Sequence, residues 1–414
     1  MMNKKLTSTF RLIESHFRIG EVLLALLLIC SFSIQGQQLE AYIEEAIKNN
    51  PNIQAVEKQH AITKERILES GSFPNTDFSG GYMFGKEKMP MMWQAEFSVM
   101  QMLPWFGTIS AREKYATAVA DADFLEIEIA KRKIRRDLSQ SYYRLYETSK
   151  KQDVLDANIQ LLKTYEQMAL TSVEVGQASV VSVLRLQMRQ NELLERKKVL
   201  EQEYEAELIV FNRIMNREEV ENIFIVDSLT IPEKDVEIDF DKLNLHPELV
   251  KFEQLDKVVS QADALNKKER APQLGVGMEY MLFTEMADMY MPMVSLSIPI
   301  FNKKYKSIAK QNKLRHAEIE SQKEANRNDL ISQLQATVRR RNAARISLET
   351  QEKNIKQARQ ATEILFKNYE TGTIDFKEVL DVQELQLSFQ ISRVEAIGSY
   401  FKQTSIVNYF TAGK

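Results

Sequence analysis

The stretch Val99-Met-Gln-Met-Leu-Pro104-Trp-Phe-Gly107 is written a second time as Val294-Ser-Leu-Ser-Ile-Pro299-Ile-Phe-Asn302. Pro104 returns as Pro299, 195 residues on. Outward from this run the echo continues. Pro51 returns as Pro247 and Gly176 as Gly372, each 196 residues on. Val183-Leu184 and Gln187 return as Val379-Leu380 and Gln383 at the same offset of 196. A near-constant offset over so long a span means that one structural unit occurs twice. Each copy reads helix, two short strands, very long helix, helix. The first copy covers 37–220 and the second 242–414, with a linker at 221–241.

Around the run the hydrophobic period is two. Trp93, Ala95, Phe97, Val99 and Leu103 share one face; Gln94, Glu96, Ser98, Met100 and Met102 share the other. Asp77 to Gly85 is the partner strand, which makes a hairpin at about 77–103. The second copy has Leu274 to Phe283, a loop with Glu285 and Asp288, and Met291 to Phe301, a hairpin at about 274–301. A soluble strand alternates this way with one face on a core. A transmembrane barrel strand does so with one face on lipid and the other on a wet lumen. Pro104, Gly107 and Pro299 mark the turns from strand into helix.

After each hairpin comes a helix of unusual length. Thr108 to Val175 has no Pro or Gly, and Phe124, Ile127, Ile134, Leu138 and Leu145 make a narrow coiled-coil-like stripe. At 1.5 Å per residue such a helix runs roughly 100 Å, against about 30–40 Å across an ordinary domain. It must pack beside similar helices or on copies of itself. Gly176 breaks it, and a further helix runs from Val180 to Met215. The second copy has Ser307 to Thr371, Gly372, and Phe376 to about Phe410. Leu39 to Ser70 reads as one helix with Pro51 near its start.

Residues 1–36 read as a secretory signal. Lys4, Lys5, Arg11 and Arg18 precede an apolar core, Val22 to Ile29, that is too short to span a bilayer. Cys30 is the one cysteine, and the bulky Ile29 before it argues against a lipid anchor. Beyond residue 36 no long apolar stretch exists, so no transmembrane helix is expected. A net charge of −3 gives no electrostatic case for nucleic acid.

The fold class is therefore mainly α with a small transmembrane β part. Four strands cannot close a barrel, since the smallest membrane barrels use about eight. Open sheet edges do not survive in lipid. Several copies must pool their strands; three would make a barrel of about twelve, with the helices as a tube beneath.

Asn50-Pro51 with Pro74, the run Gln101 to Gly107, its counterpart Ile298-Pro299-Ile300-Phe301, and the turn glycines Gly176 and Gly372 together resemble the TolC-like outer-membrane efflux proteins. The resemblance implies a homotrimer in outer-membrane lipid, its helices crossing the periplasm. It implies a passive exit duct; for want of any metal-ligand spacing, phosphate loop or nucleophile arrangement, no enzymatic activity and no cofactor are expected. The duct would dock through helix-turn tips at Gly176 and Gly372 on a periplasmic adaptor that serves an inner-membrane transporter of the RND type. It also implies an acidic gate, for which Glu378 and Asp381 fit. The two are three apart on one helix face, and a threefold axis would stack them as rings that attract cations. The family more often has Asp where Glu378 stands. The first copy has Ser182 and Arg185 at the equivalent places.

Of the 17 methionines, six lie between Met83 and Met102 and six between Met278 and Met293. Thioether sulfur suits soft cations. Met89, Met91 and Met92 in one loop, or Met286, Met289 and Met291 in the other, suggest Cu or Ag as cargo. The plainer reading is flexible apolar filling, with drugs as cargo. His60, His246 and His316 are isolated, and no phosphate loop or nucleophile arrangement is visible. Tyr142, Tyr143 and Tyr146 read as packing rings. Two other readings are a periplasmic coiled-coil adaptor or scaffold, and the same duct serving type I protein secretion.

Overall fold

The computed structural model describes residues 38–84, 93–176, 179–235, 237–238, 240–284, 286–371 and 373–411. The expected signal at 1–36 with Cys30, the loop holding Met89, Met91 and Met92, Glu285 and Gly372 lie outside the described residues.

Helix α1 covers residues 38–49. It is followed by α2 (Pro51–Ser70), β1 (Thr76–Tyr82), β2 (Trp93–Leu103), α3 (Thr108–Glu174) and α4 (Val180–Ile214). A 3-10 turn (Phe240–Leu245) leads to α5 (Pro247–Glu269), β3 (Gln273–Phe283), β4 (Met289–Ser297), α6 (Lys304–Glu370) and α7 (Phe376–Thr411). The two long helices, α3 and α6, have 67 residues each.

The expected helix Leu39 to Ser70 is two helices. Pro51 has no N–H to return to residue 47, so it cannot continue a helix but can begin one. The break falls at buried Asn50, whose side-chain amide donates to the Ile214 carbonyl at 2.9 Å. His246-Pro247 works differently. His246 is buried and caps α5, its Nδ1 accepting from the Glu248 N–H at 3.4 Å. The preceding 3-10 turn occupies the end of the expected linker.

The chain divides into two compact units. One contains residues 52–130 and 240–331 and holds the sheet. Its four strands are antiparallel in the order β1-β2-β3-β4, so the two hairpins join through β2 and β3. β4 ends at Ser297, short of the expected Phe301. Pro299 has no N–H for the ladder, and the Ile300 N–H turns back to the Ile298 carbonyl at 3.0 Å. In the same unit Ile127 is buried as its stripe position requires, but Phe124 is exposed, its ring 5.6 Å from that of His60.

The other unit contains α1, residues 131–238 and residues 332–411. Leu138, Tyr142, Leu145, Leu208 and Phe211 form one of its cores with Ile43 and Ala46 of α1. A row of tyrosine hydroxyls pins the linker to it. Tyr42, Tyr142 and Tyr146 accept from the N–H groups of Phe224, Val226 and Leu229 at 3.1, 3.1 and 3.2 Å. Further along, Asp235 accepts from Tyr400, binds Arg345 at 2.7 Å and lies 3.5 Å from buried Arg341. Burial alone would raise the Asp235 carboxyl, but the bonds from Tyr400 and Arg345 and the two guanidinium charges hold it below the usual range.

Among the described residues no helix is long and apolar enough to cross a membrane.

Candidate functional site

The helical turns come first. α3 ends at Glu174, and Gly176 follows in the left-handed region at φ 73°, its N–H returning to the Val173 carbonyl at 3.0 Å. Such a residue is the usual way for a helix to stop, and it favours glycine because no Cβ is there to clash. Ser179 then caps α4, its Oγ accepting from the Val181 N–H at 3.2 Å. At the second turn Asp375 caps α7, its Oδ1 accepting from the Lys377 N–H at 2.8 Å.

Beneath the turns lies a second core. Tyr165 stacks on Phe366 at 5.7 Å, and Phe376 meets Tyr165 and Tyr369 edge-on at 5.5 and 4.9 Å. Val183 and Val379, equivalent in the two copies, are both buried here. The equivalent glutamines diverge. Gln383 is buried and donates to Asn158 at 3.0 Å, while Asn158 donates to Gln390 at 2.9 Å. Gln187 is exposed and donates to Glu166 at 2.7 Å. That bond and a second from Gln190 lower the Glu166 carboxyl.

Glu378 and Asp381 lie exposed on α7, alternating with its buried positions Val379 and Gln383. Asp381 is ion-paired with Lys377 at 2.9 Å, a partner one turn earlier that spacing alone should have suggested. Arg185 is exposed on α4. The cation that links α4 to α7 is Arg189, 3.2 Å from Glu384.

The two strand-to-helix turns are built by different means. Gly107 is left-handed at φ 79°, and a side chain there would also meet the Lys268 amine at 3.3 Å. Residues on either side of it close the bend, the Thr108 N–H donating to the Trp105 carbonyl at 3.0 Å. At Pro299 the bend is the short Ile298–Ile300 turn, and Asn302 caps α6, accepting from the Lys304 N–H at 2.8 Å. Trp105, Phe106, Ile300 and Phe301 are all exposed at these bends.

The sheet has two unlike faces. Directly paired residues share a face, so Phe78, Val99 and Met278 lie in one row, Phe97, Tyr280 and Tyr290 in the next, and Leu103, Leu274 and Leu296 in another. This face is apolar yet uncovered in the chain: Phe78 is 80% exposed and Val294 75%. The opposite face carries Asp77, Ser79, Glu96, Ser98 and Glu279, with the Ser79 and Ser98 hydroxyls 2.7 Å apart. Of the methionines expected in loops, Met286 is in the bend between β3 and β4. Met289 and Met291 are in β4, paired with Met281 and Glu279.

Comparison with known proteins follows the same lines. The model of the Outer membrane efflux protein family matches residues 254–404. No curated protein matches the chain. Among solved structures it is similar to CusC, whose structures are described as showing transmembrane channel formation: 13% identity, TM-score 0.77, 91% of this chain and 92% of that one. The outer membrane protein VceC of Vibrio cholerae aligns at 15% identity and TM-score 0.73, over 91% and 96% of the two chains. The outer membrane channel CmeC of Campylobacter jejuni aligns at 13% identity and TM-score 0.74, over 91% and 86%. At such identities the structural likeness is one of fold. The resemblance read from the sequence is met, by the family model in the second half and by fold over nine-tenths of the chain. The outer membrane, named for the family and for VceC and CmeC, is the location expected from the sequence.

Proposed function

We propose that three copies of the chain pool their sheets into one closed outer-membrane barrel, with the helices as a periplasmic tunnel, and that the assembly is a passive exit duct. The observation that carries this is the sheet itself. β1 and β4 are its outer strands, and their outer edges have no strand partner among the described residues, while a face of large apolar side chains is left uncovered. Lipid satisfies the face but not the edges. Copies of the same sheet satisfy the edges, β4 of one against β1 of the next, and leave the polar face inside. Three copies of four strands give an even count of about twelve, within the range of such barrels.

The paired helical turns at Gly176 and at the second-copy equivalent are the surface for a periplasmic adaptor, which hands over cargo from an inner-membrane transporter of the RND type. Glu378 and Asp381 line the narrow end and meter cations there. The cargo is a small solute, a drug or a soft metal ion. A periplasmic scaffold would need neither the join between β2 and β3 nor an uncovered apolar sheet face. Native mass spectrometry of the detergent-purified protein tests the proposal. A trimer is expected; a monomer soluble without detergent overturns it.

A further inference from the structure

On the polar face of the sheet the direct pairings form four successive rows across β2, β3 and β4. They are Met102–Gly275–Ser295, Met100–Gly277–Met293, Ser98–Glu279–Met291 and Glu96–Met281–Met289. Every row contains a thioether. In the first two rows the middle strand contributes only glycine; side chains from both flanking strands reach over Gly275, and Met100 reaches over Gly277. A methyl group placed on Gly275 would sit 2.7 Å from the Met102 sulfur, 3.2 Å from the Met100 sulfur and against the Ser295 hydroxyl. One placed on Gly277 would sit 3.1 Å from the Met100 sulfur. Two sulfurs and a hydroxyl thus close over Gly275, with Met293 in the adjoining row. Glu96 and Glu279 lie in the next two rows of the same face.

Apolar filling does not account for this choice of residue. On the opposite face the sheet uses Phe, Val, Leu and Tyr for apolar contact, with Met278 among them. On the polar face, from Gln273 to Met281 and across their partners on β2 and β4, every large apolar side chain is Met. A half-buried face that also carries Ser and Glu gains less from apolar burial than a core does, whichever apolar residue is used. Methionine differs from leucine there in one useful respect: its sulfur is a soft ligand.

We propose that Met100, Met102 and Met293, clustered beside Gly275 and Gly277 on neighbouring strands, bind a soft monovalent cation of the Cu(I) or Ag(I) class on the lumen side of the barrel. The site names the cargo class of the duct, and it rests on the reading of this face as the wet one. The remaining rows continue the thioethers along the lumen, so an ion leaving the site meets further sulfurs.

The probe is Ag(I), added as the nitrate to the full-length protein in detergent, with retained metal and affinity measured after desalting. Wild type is expected to retain Ag(I). The variant Met100→Leu with Met102→Leu and Met293→Leu should bind roughly tenfold more weakly or worse, whereas Met278→Leu on the other face should match wild type. Equal binding by the triple variant, or none by wild type, overturns the site. Should the triple variant not fold, peroxide footprinting of wild type serves instead. Ag(I) should protect Met100, Met102 and Met293 from oxidation but not Met278, and identical oxidation with and without Ag(I) overturns the site. A trimer that binds no Ag(I) removes the site alone. A monomer that binds it keeps the site and removes the duct.

Discussion

Lys377 Nζ lies 2.9 Å from Asp381 Oδ2, one turn apart on α7, so the acidic pair of the second copy carries its own counter-charge. Both side chains are more than half exposed, and such a pair contributes only about 0.3–0.5 kcal/mol. Lys377→Ala should therefore move the melting temperature by less than about 2 °C. If Asp381 borders the conduction path, the same change should increase cation over anion preference, read as a shift in reversal potential across a salt gradient. An unchanged reversal potential would take Asp381 off the path.

The sheet faces predict opposite tolerances. Val294 lies exposed on the apolar face, and if that face meets lipid, Val294→Lys should cost about 2–4 kcal/mol near the bilayer midplane. Ser98→Lys, on the polar face beside Ser79, should cost far less. Thermal dissociation of the assembly in detergent and the yield in outer membranes would measure both. Equal sensitivity at the two positions would mean that the lipid and lumen faces are wrongly assigned.

Asp235 anchors the end of the linker by facing Arg341 and Arg345 at once. Arg341 is buried, so removing its carboxylate strands a charge in a poor solvent. Asp235→Ala is expected to cost about 3 kcal/mol in chemical denaturation. A cost below about 0.5 kcal/mol would show that water already solvates that guanidinium.

Alkali should loosen the tyrosine-lined core. Burial pushes the Tyr143 hydroxyl up to about 12, and burial also raises Tyr142, more than the bond to Val226 lowers it. Below pH 10, the ordinary tyrosine value, both hydroxyls are neutral in folded and unfolded chains, and their contribution is complete. Above it the unfolded chain releases protons that the folded chain keeps until about 12, so stability falls across that window. Tyr143→Phe should flatten the decline by about 2 kcal/mol in melts followed by circular dichroism. A flat profile in wild type from pH 9.5 to 11.5 would contradict the burial of these rings.

Much of the architecture was legible in the sequence because it is carried by local punctuation. Gly176 and the absence of Pro and Gly from Thr108 onward mark the helix limits within a residue or two. The period of two placed the strands, since alternation needs no tertiary information. The rest is non-local. The join of β2 to β3 pairs residues about 180 apart and leaves no trace in either hairpin alone. Gln187 and Gln383 are identical letters in equivalent places, yet only Gln383 meets a buried partner, because Asn158 stands opposite it and not opposite Gln187. Tyr142 and Tyr146 read as packing rings in the sequence, yet their hydroxyls hold Val226 and Leu229, since nothing in their spacing reveals the linker lying over them. The expected second strand starts at Met291, whereas β4 starts at Met289 and carries Pro292 on an outer strand, where a missing N–H costs little.

Single-channel recording in planar lipid bilayers tests the duct most directly, using the purified full-length chain and its Glu378→Ala, Asp381→Ala variant. Uniform conductance steps are predicted, larger or more frequent in the variant than in wild type. Bilayers that stay silent with both proteins, although both have inserted, would contradict a continuous passage through the assembly.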